Sequence, residues 1–103
     1  MKTIRSKEFT AERAWGNLLI ASLDDTTVKL HWTDQLYKWH INDGQEVFAV
    51  MDGVVDMHFK NNGVEEVEVL YAGDIFYADV GTEHVARPRG AVRVLVIEKE
   101  GSV

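Results

Sequence analysis

The chain has no cysteine and a single proline among its 103 residues. Without thiols there is no disulfide, no thiolate metal site and no cysteine nucleophile, so any metal centre must rest on nitrogen and oxygen ligands. No apolar run approaches the roughly 18 residues that span a bilayer, and the start, MKTIRSKEF, lacks the apolar stretch of a signal peptide. A cytoplasmic location is therefore the expectation. Cations are in the minority, 11 Lys and Arg against 17 Asp and Glu, for a net charge of −6. A field of that sign repels phosphate backbones and anionic lipid, so neither nucleic acid nor membrane is expected as a partner. Helical patterning is scarce too. Only Ser6 to Trp15 carries it, with Ser6 as a candidate cap, and an isolated helix of that length is marginal in water.

What remains is the rhythm of strands. From Gly16 onward, glycines and short polar clusters punctuate runs rich in β-branched and aromatic residues, the pattern of an all-β sandwich or barrel. One domain spanning 1–103 accounts for the length. In VVDMHFKNNGVEEVEVL, Val55, Met57 and Phe59 alternate with Asp56, His58 and Lys60. The spacing predicts a hairpin turning at Asn61-Asn62-Gly63, with Val67 and Val69 continuing the dry face and Glu66 and Glu68 the wet one. Ala91 to Glu98, AVRVLVIE, is apolar on nearly both faces, as expected of a strand covered on each side. An apolar outer face predicts a two-fold dimer. Pro88 fits a strand edge or turn.

Two segments carry chemistry. In YKWHINDGQEVFAVMDG, His40 and Asn42 are two apart and leave the same face of an extended strand. A turn at Asp43-Gly44 lets Glu46 begin a new strand, so a hairpin can aim His40, Asn42 and Glu46 at one point. In AGDIFYADVGTEHVARP the chain turns at Gly81 and returns with His84 at the head of a strand. Imidazole and carboxylate suit zinc, manganese, iron or nickel, and two histidines with one carboxylate hold such an ion with positions left open. The same residues also suit a metal-free polar pocket, with Glu46 paired to Arg87 or Arg93. His58, on the wet face of its hairpin, and His31, opposite the apolar Leu30 and Trp32, are expected at the surface or in support of the site. Phe48, Phe76 and Tyr77 are candidate pocket-lining aromatics, and Trp39 belongs to the rim or core.

These segments resemble the two motifs of the cupin family, G-x5-H-x-H-x3,4-E-x6-G and G-x5-P-x-G-x2-H-x3-N. His40, Asn42 in place of the second histidine, Glu46 and Gly53 follow the first, over about 40–53, with Asp34 where its leading glycine is expected. Gly73, Asp79 in place of proline, Gly81, His84 and Pro88 in place of asparagine follow the second, over about 73–88. A second register, with Lys38 and His40 as the altered pair, leaves five residues before Glu46 and fits the spacing less well. The resemblance implies a small antiparallel β-barrel of jelly-roll type with one divalent metal (Zn, Mn, Fe or Ni) at its mouth. It nominates His40, Glu46 and His84 as ligands and Asn42 as a weaker oxygen ligand or hydrogen-bonding neighbour. Small cupins include isomerases, oxygenases, decarboxylases and non-catalytic binders, so it also implies a small polar metabolite as partner without naming one.

Overall fold

The computed structural model describes residues 1–102. It is built of nine strands: β1 (Gly16–Leu23), β2 (Thr26–Thr33), β3 (His40–Ile41), β4 (Glu46–Asp52), β5 (Val55–Asn61), β6 (Val64–Leu70), β7 (Ile75–Ala78), β8 (Glu83–Pro88) and β9 (Val92–Lys99). They form a five-stranded sheet of order β1-β2-β9-β4-β7 and a four-stranded sheet of order β3-β8-β5-β6, with every pairing antiparallel. The inner faces meet in one core: Phe48, Val50, Val92, Val94 and Val96 from the larger sheet against Val55, Met57, Leu70 and Ala86 from the smaller. Each of these side chains other than that of Ala86 contributes roughly 1.5–3 kcal/mol by leaving water. Among the described residues, no helix is long and apolar enough to cross a membrane.

β9 lies at the centre of its sheet, as its two apolar faces require. Val92, Val94 and Val96 point into the core, while Leu95 and Ile97 point outward and are half-buried. Part of that outer face is covered by the N-terminal segment. Arg93 reaches from it to the Phe9 carbonyl at 2.8 Å and to Thr10 Oγ1 at 3.0 Å, while also pairing with Asp52 at 2.9 Å. This contact replaces the helix expected over Ser6 to Trp15. Only a single 3₁₀ turn forms, Ser6–Glu8, with no side-chain cap, because the segment gains more from the sheet beneath it than from a short solvated helix.

The β5–β6 hairpin forms with a tighter turn than expected. Asn61 pairs with Val64, so the loop is the two residues Asn62 and Gly63, at φ 52° and 79°, the backbone of a type I′ turn. Shortening the loop by one residue slips the register by one and exchanges the faces of the returning strand. Glu66 and Glu68 now lie opposite Phe59 and Met57, and Val67 lies opposite His58 on the outside. β6 tolerates this because it is an edge strand, exposed from Val64 to Glu68. A Cβ at Gly63 would meet nothing within 4 Å, so Gly63→Val should cost backbone strain alone, about 1–2 kcal/mol. Urea unfolding measures it, and equal stability of variant and wild type would exclude this turn.

Candidate metal centre and its cavity

Toward one end of the barrel the inward residues change from apolar to ionisable. Along β4 the inward series runs Val50, Phe48, Glu46, and along β9 it runs Val94, Val96, Glu98, with Glu46 and Glu98 directly opposite each other. On the facing sheet, His40 of β3 lies opposite His84 of β8, which lies opposite Phe59 of β5. His40 and His84 of the smaller sheet thus meet Glu46 of the larger across the barrel. The ligating atoms of His40, Glu46 and His84 lie within 4.8 Å of one another, close enough to hold one ion.

The hydrogen bonds suit that role. His40 Nδ1 is 3.2 Å from the Lys38 carbonyl and His84 Nδ1 is 3.3 Å from the Thr82 carbonyl. A ring that donates Nδ1–H to a carbonyl presents its Nε2 lone pair, the arrangement found behind metal-bound histidines. His84 Nε2 faces Glu46 Oε1 at 3.0 Å, with both residues buried. Two lone pairs cannot face each other at that distance, so a cation belongs between them, either a proton or a metal ion. Burial is the main cause that lowers the pKa of His40, which keeps it in the neutral form a metal requires.

The group opens into a cavity of about 250 Å³. Its wall includes Trp15, Tyr37, Phe48, Lys29, His31 and Glu98 besides the three candidate ligands. Aromatic edges run along it: Trp15 to His31 at 6.0 Å, Trp15 to Tyr37 at 5.2 Å and Tyr37 to His40 at 5.2 Å between centroids. Trp15 enters the wall through a local turn, with φ 59° and the Gly16 N–H bonded to the Arg13 carbonyl.

Glu98 is the most perturbed carboxyl of the cavity, pushed up to about 7 by burial first and by the Glu46 charge second. A folded pKa raised above the ordinary 4.5 means stability present below that value and lost as pH climbs through about 7. The full shift would correspond to roughly 3 kcal/mol, and partial exposure to solvent reduces this to about 1 kcal/mol. Glu98→Gln should therefore gain about 1 kcal/mol on wild type between pH 4.5 and pH 8 in metal-free protein, read from urea midpoints. A parallel pH dependence of the two proteins would refute it.

The other residues singled out in the sequence are distributed as follows. Asn42 is buried and donates its amide to the Ala78 carbonyl at 3.5 Å. Its backbone joins that of Thr82 and Gly81, pinning the β3–β4 turn to the β7–β8 turn, and it is not among the residues that line the cavity. Phe48 lines the cavity. Phe76 packs against His84 and Phe59. Tyr77 points outward at 52% exposure and accepts a hydrogen bond from Gln45 Nε2 at 2.7 Å, beside an open cleft. His58 pairs outside with Glu65 at 3.2 Å. Arg93 pairs with Asp52, not with Glu46.

His31, expected at the surface or in support of the site, lines the cavity, and burial lowers its pKa. The alternation along β2 is as the sequence shows, but it is Leu30 and Trp32 that face outward and Lys29 and His31 that face in. Leu30 is nonetheless only 1% exposed, because the outer face is itself covered. Trp15, Tyr37, Lys29 and Glu98 carried no motif that marked them, and the Lys29–His31 alternation was the one available signal.

The architecture is a jelly-roll β-barrel with a His-Glu-His group at one end of its interior. No family model and no curated protein sequence matches the chain. Solved structures do. A cupin-2 domain containing protein from Shewanella frigidimarina superposes with a TM-score of 0.77 at 26% identity, over 87% of this chain and 85% of that one. A cupin superfamily protein from Desulfitobacterium hafniense gives 0.77 at 13% identity, over 91% and 85%. A protein from Thermus thermophilus gives 0.78 at 18%, over 96% and 97%. The chain is a small cupin-fold protein.

Proposed function

We propose that the protein holds one divalent transition metal, zinc, manganese, iron or nickel, between His40, Glu46 and His84, and uses it to bind or transform a small polar metabolite in the adjoining cavity. The observation that carries this reading is the convergence of three donors within 4.8 Å, each histidine oriented through Nδ1. A bound ion would supply Lewis acidity toward a carbonyl or carboxylate oxygen of the ligand. The chain's own part is to keep His40 neutral, to fix both rings, and to confine the ligand in an aromatic, partly dry cavity. A net charge of −6 favours a small molecule over nucleic acid as the partner.

The direct contact between His84 Nε2 and Glu46 Oε1 supports a second reading, a metal-free pocket in which a proton fills the metal's place. Elemental analysis of protein purified without chelator or metal-affinity tag separates the two. Near-stoichiometric metal, with calorimetric binding of an added ion, is expected. A metal-free preparation that binds none of the four ions would establish the second reading.

We also infer a two-fold dimer through the outer face of the larger sheet. Leu95 and Ile97 share that sheet with Ile75 on the edge strand β7, which is 67% exposed, and Leu23 on the edge strand β1, which is 60% exposed. Sedimentation at tens of micromolar should show a dimer, and a monomer would rule it out.

A further inference from the structure

One side of the cavity is closed by side chains alone. β1 and β3 are edge strands of different sheets, and among the described residues no backbone pairing joins them, yet both reach the cavity wall, through Asn17 and His40. Two rings fill the gap. Trp15, just before β1, meets Tyr37, in the loop before β3, edge to face at 5.2 Å between centroids, and both line the cavity.

Trp15 holds this position under strain. Its φ of 59° is a conformation that bulky side chains avoid, and its buried Nε1 has no hydrogen-bond partner among the described residues. Both penalties disappear when the residue swings out into water, so the closed form depends on contacts made elsewhere. Those contacts lie in the segment before it. Arg93, on the outer face of β9, bonds the Phe9 carbonyl at 2.8 Å and Thr10 Oγ1 at 3.0 Å and is itself fixed by Asp52 at 2.9 Å. Between that anchor and Trp15 the chain doubles back so tightly that a Cβ at Gly16 would collide with Ala11, which couples the anchor to the ring. We propose that Trp15 is the gate of the cavity and that the N-terminal segment, anchored on Arg93, is the strap that keeps it shut. Small molecules then enter between β1 and β3 when the strap lifts, and water is kept from the site while it lies flat. The gate concerns access, so it holds whether a metal ion or a proton lies between His84 and Glu46.

The test follows acylation of His84 by diethyl pyrocarbonate in metal-free full-length protein, read by mass spectrometry. His84 is 2% exposed and lines the cavity, so the reagent must enter to reach it. Trp15→Ala and Tyr37→Ala should each raise the rate about tenfold, because a local opening limits the reaction. Arg93→Met leaves every cavity-lining side chain in place and should raise it comparably. Asp52→Asn, which only loosens Arg93, should act in the same direction and serves where Arg93→Met does not fold. Gly63→Val, strained in the distant β5–β6 turn, controls for general loss of stability and should leave His84 at the wild-type rate. His58, paired with Glu65 on the outer face, should react alike in all of them. An unchanged rate at His84 in Trp15→Ala would overturn the gate, and an unchanged rate in Arg93→Met and Asp52→Asn would overturn the strap. Equal acceleration by Gly63→Val would assign the exposure to global unfolding and overturn both. Acceleration by Ser102→Ala in place of Trp15→Ala would put the entrance at the Ser102–Asp43 contact, which also borders the cavity, and would likewise overturn the proposal.

Discussion

His84→Ala should weaken zinc binding by on the order of 100-fold, about 3 kcal/mol, measured by calorimetry against a competing chelator. His84 is 2% exposed, and it supplies one of the two imidazoles while also facing Glu46 at 3.0 Å, so its loss removes a donor and leaves a buried carboxylate unpaired. Circular dichroism of the variant separates this from unfolding. His58→Ala should leave binding unchanged, because that ring is paired with Glu65 on the outer face. Asn42→His should tighten it, since it adds an imidazole beside Ala78, the cross-strand partner of Glu46. Binding should fall at acid pH, with His40 contributing to the loss only below the usual imidazole range because burial holds its pKa down. Undiminished affinity in His84→Ala would remove His84 from the site.

Gly53→Ala should be strongly destabilising, at about 3 kcal/mol or more, lowering Tm by roughly 10–20 °C. Gly53 lies at φ 87°, where a side chain is strained, and an added Cβ would sit 2.8 Å from both the Ala91 carbonyl and Val92 Cγ1. The carbonyl belongs to backbone and Val92 is fully buried, so neither can retreat cheaply. Gly63 offers the contrast: the same backbone region with open space around it, and a correspondingly smaller cost. Thermal unfolding of the two alanine variants side by side decides the point, and equal losses would show that strain alone matters at Gly53. The last glycine of the first motif therefore has a packing reason, the close approach of the β4–β5 turn to the start of β9.

Much of this was written in the chain itself. Alternation with period two fixes where strands run, and the spacing of His40, Glu46 and His84 across two turns is a local property that pairing converts into proximity. The polarity change along β4, from Val50 to Glu46, is likewise local. Alternation divides a strand into two faces but does not say which face is inside. Leu30 could face out because that outer face is itself covered, and His31 could face in because the cavity is polar; both facts belong to other parts of the chain. The β6 register turned on one residue of loop length, and an edge strand lacks the buried neighbour that would have penalised either choice. Trp15, Tyr37 and Glu98 reach the cavity from three separate segments, and no spacing joins them. Their convergence exists only once both sheets have closed, because long-range packing, not sequence separation, sets which side chains face one another.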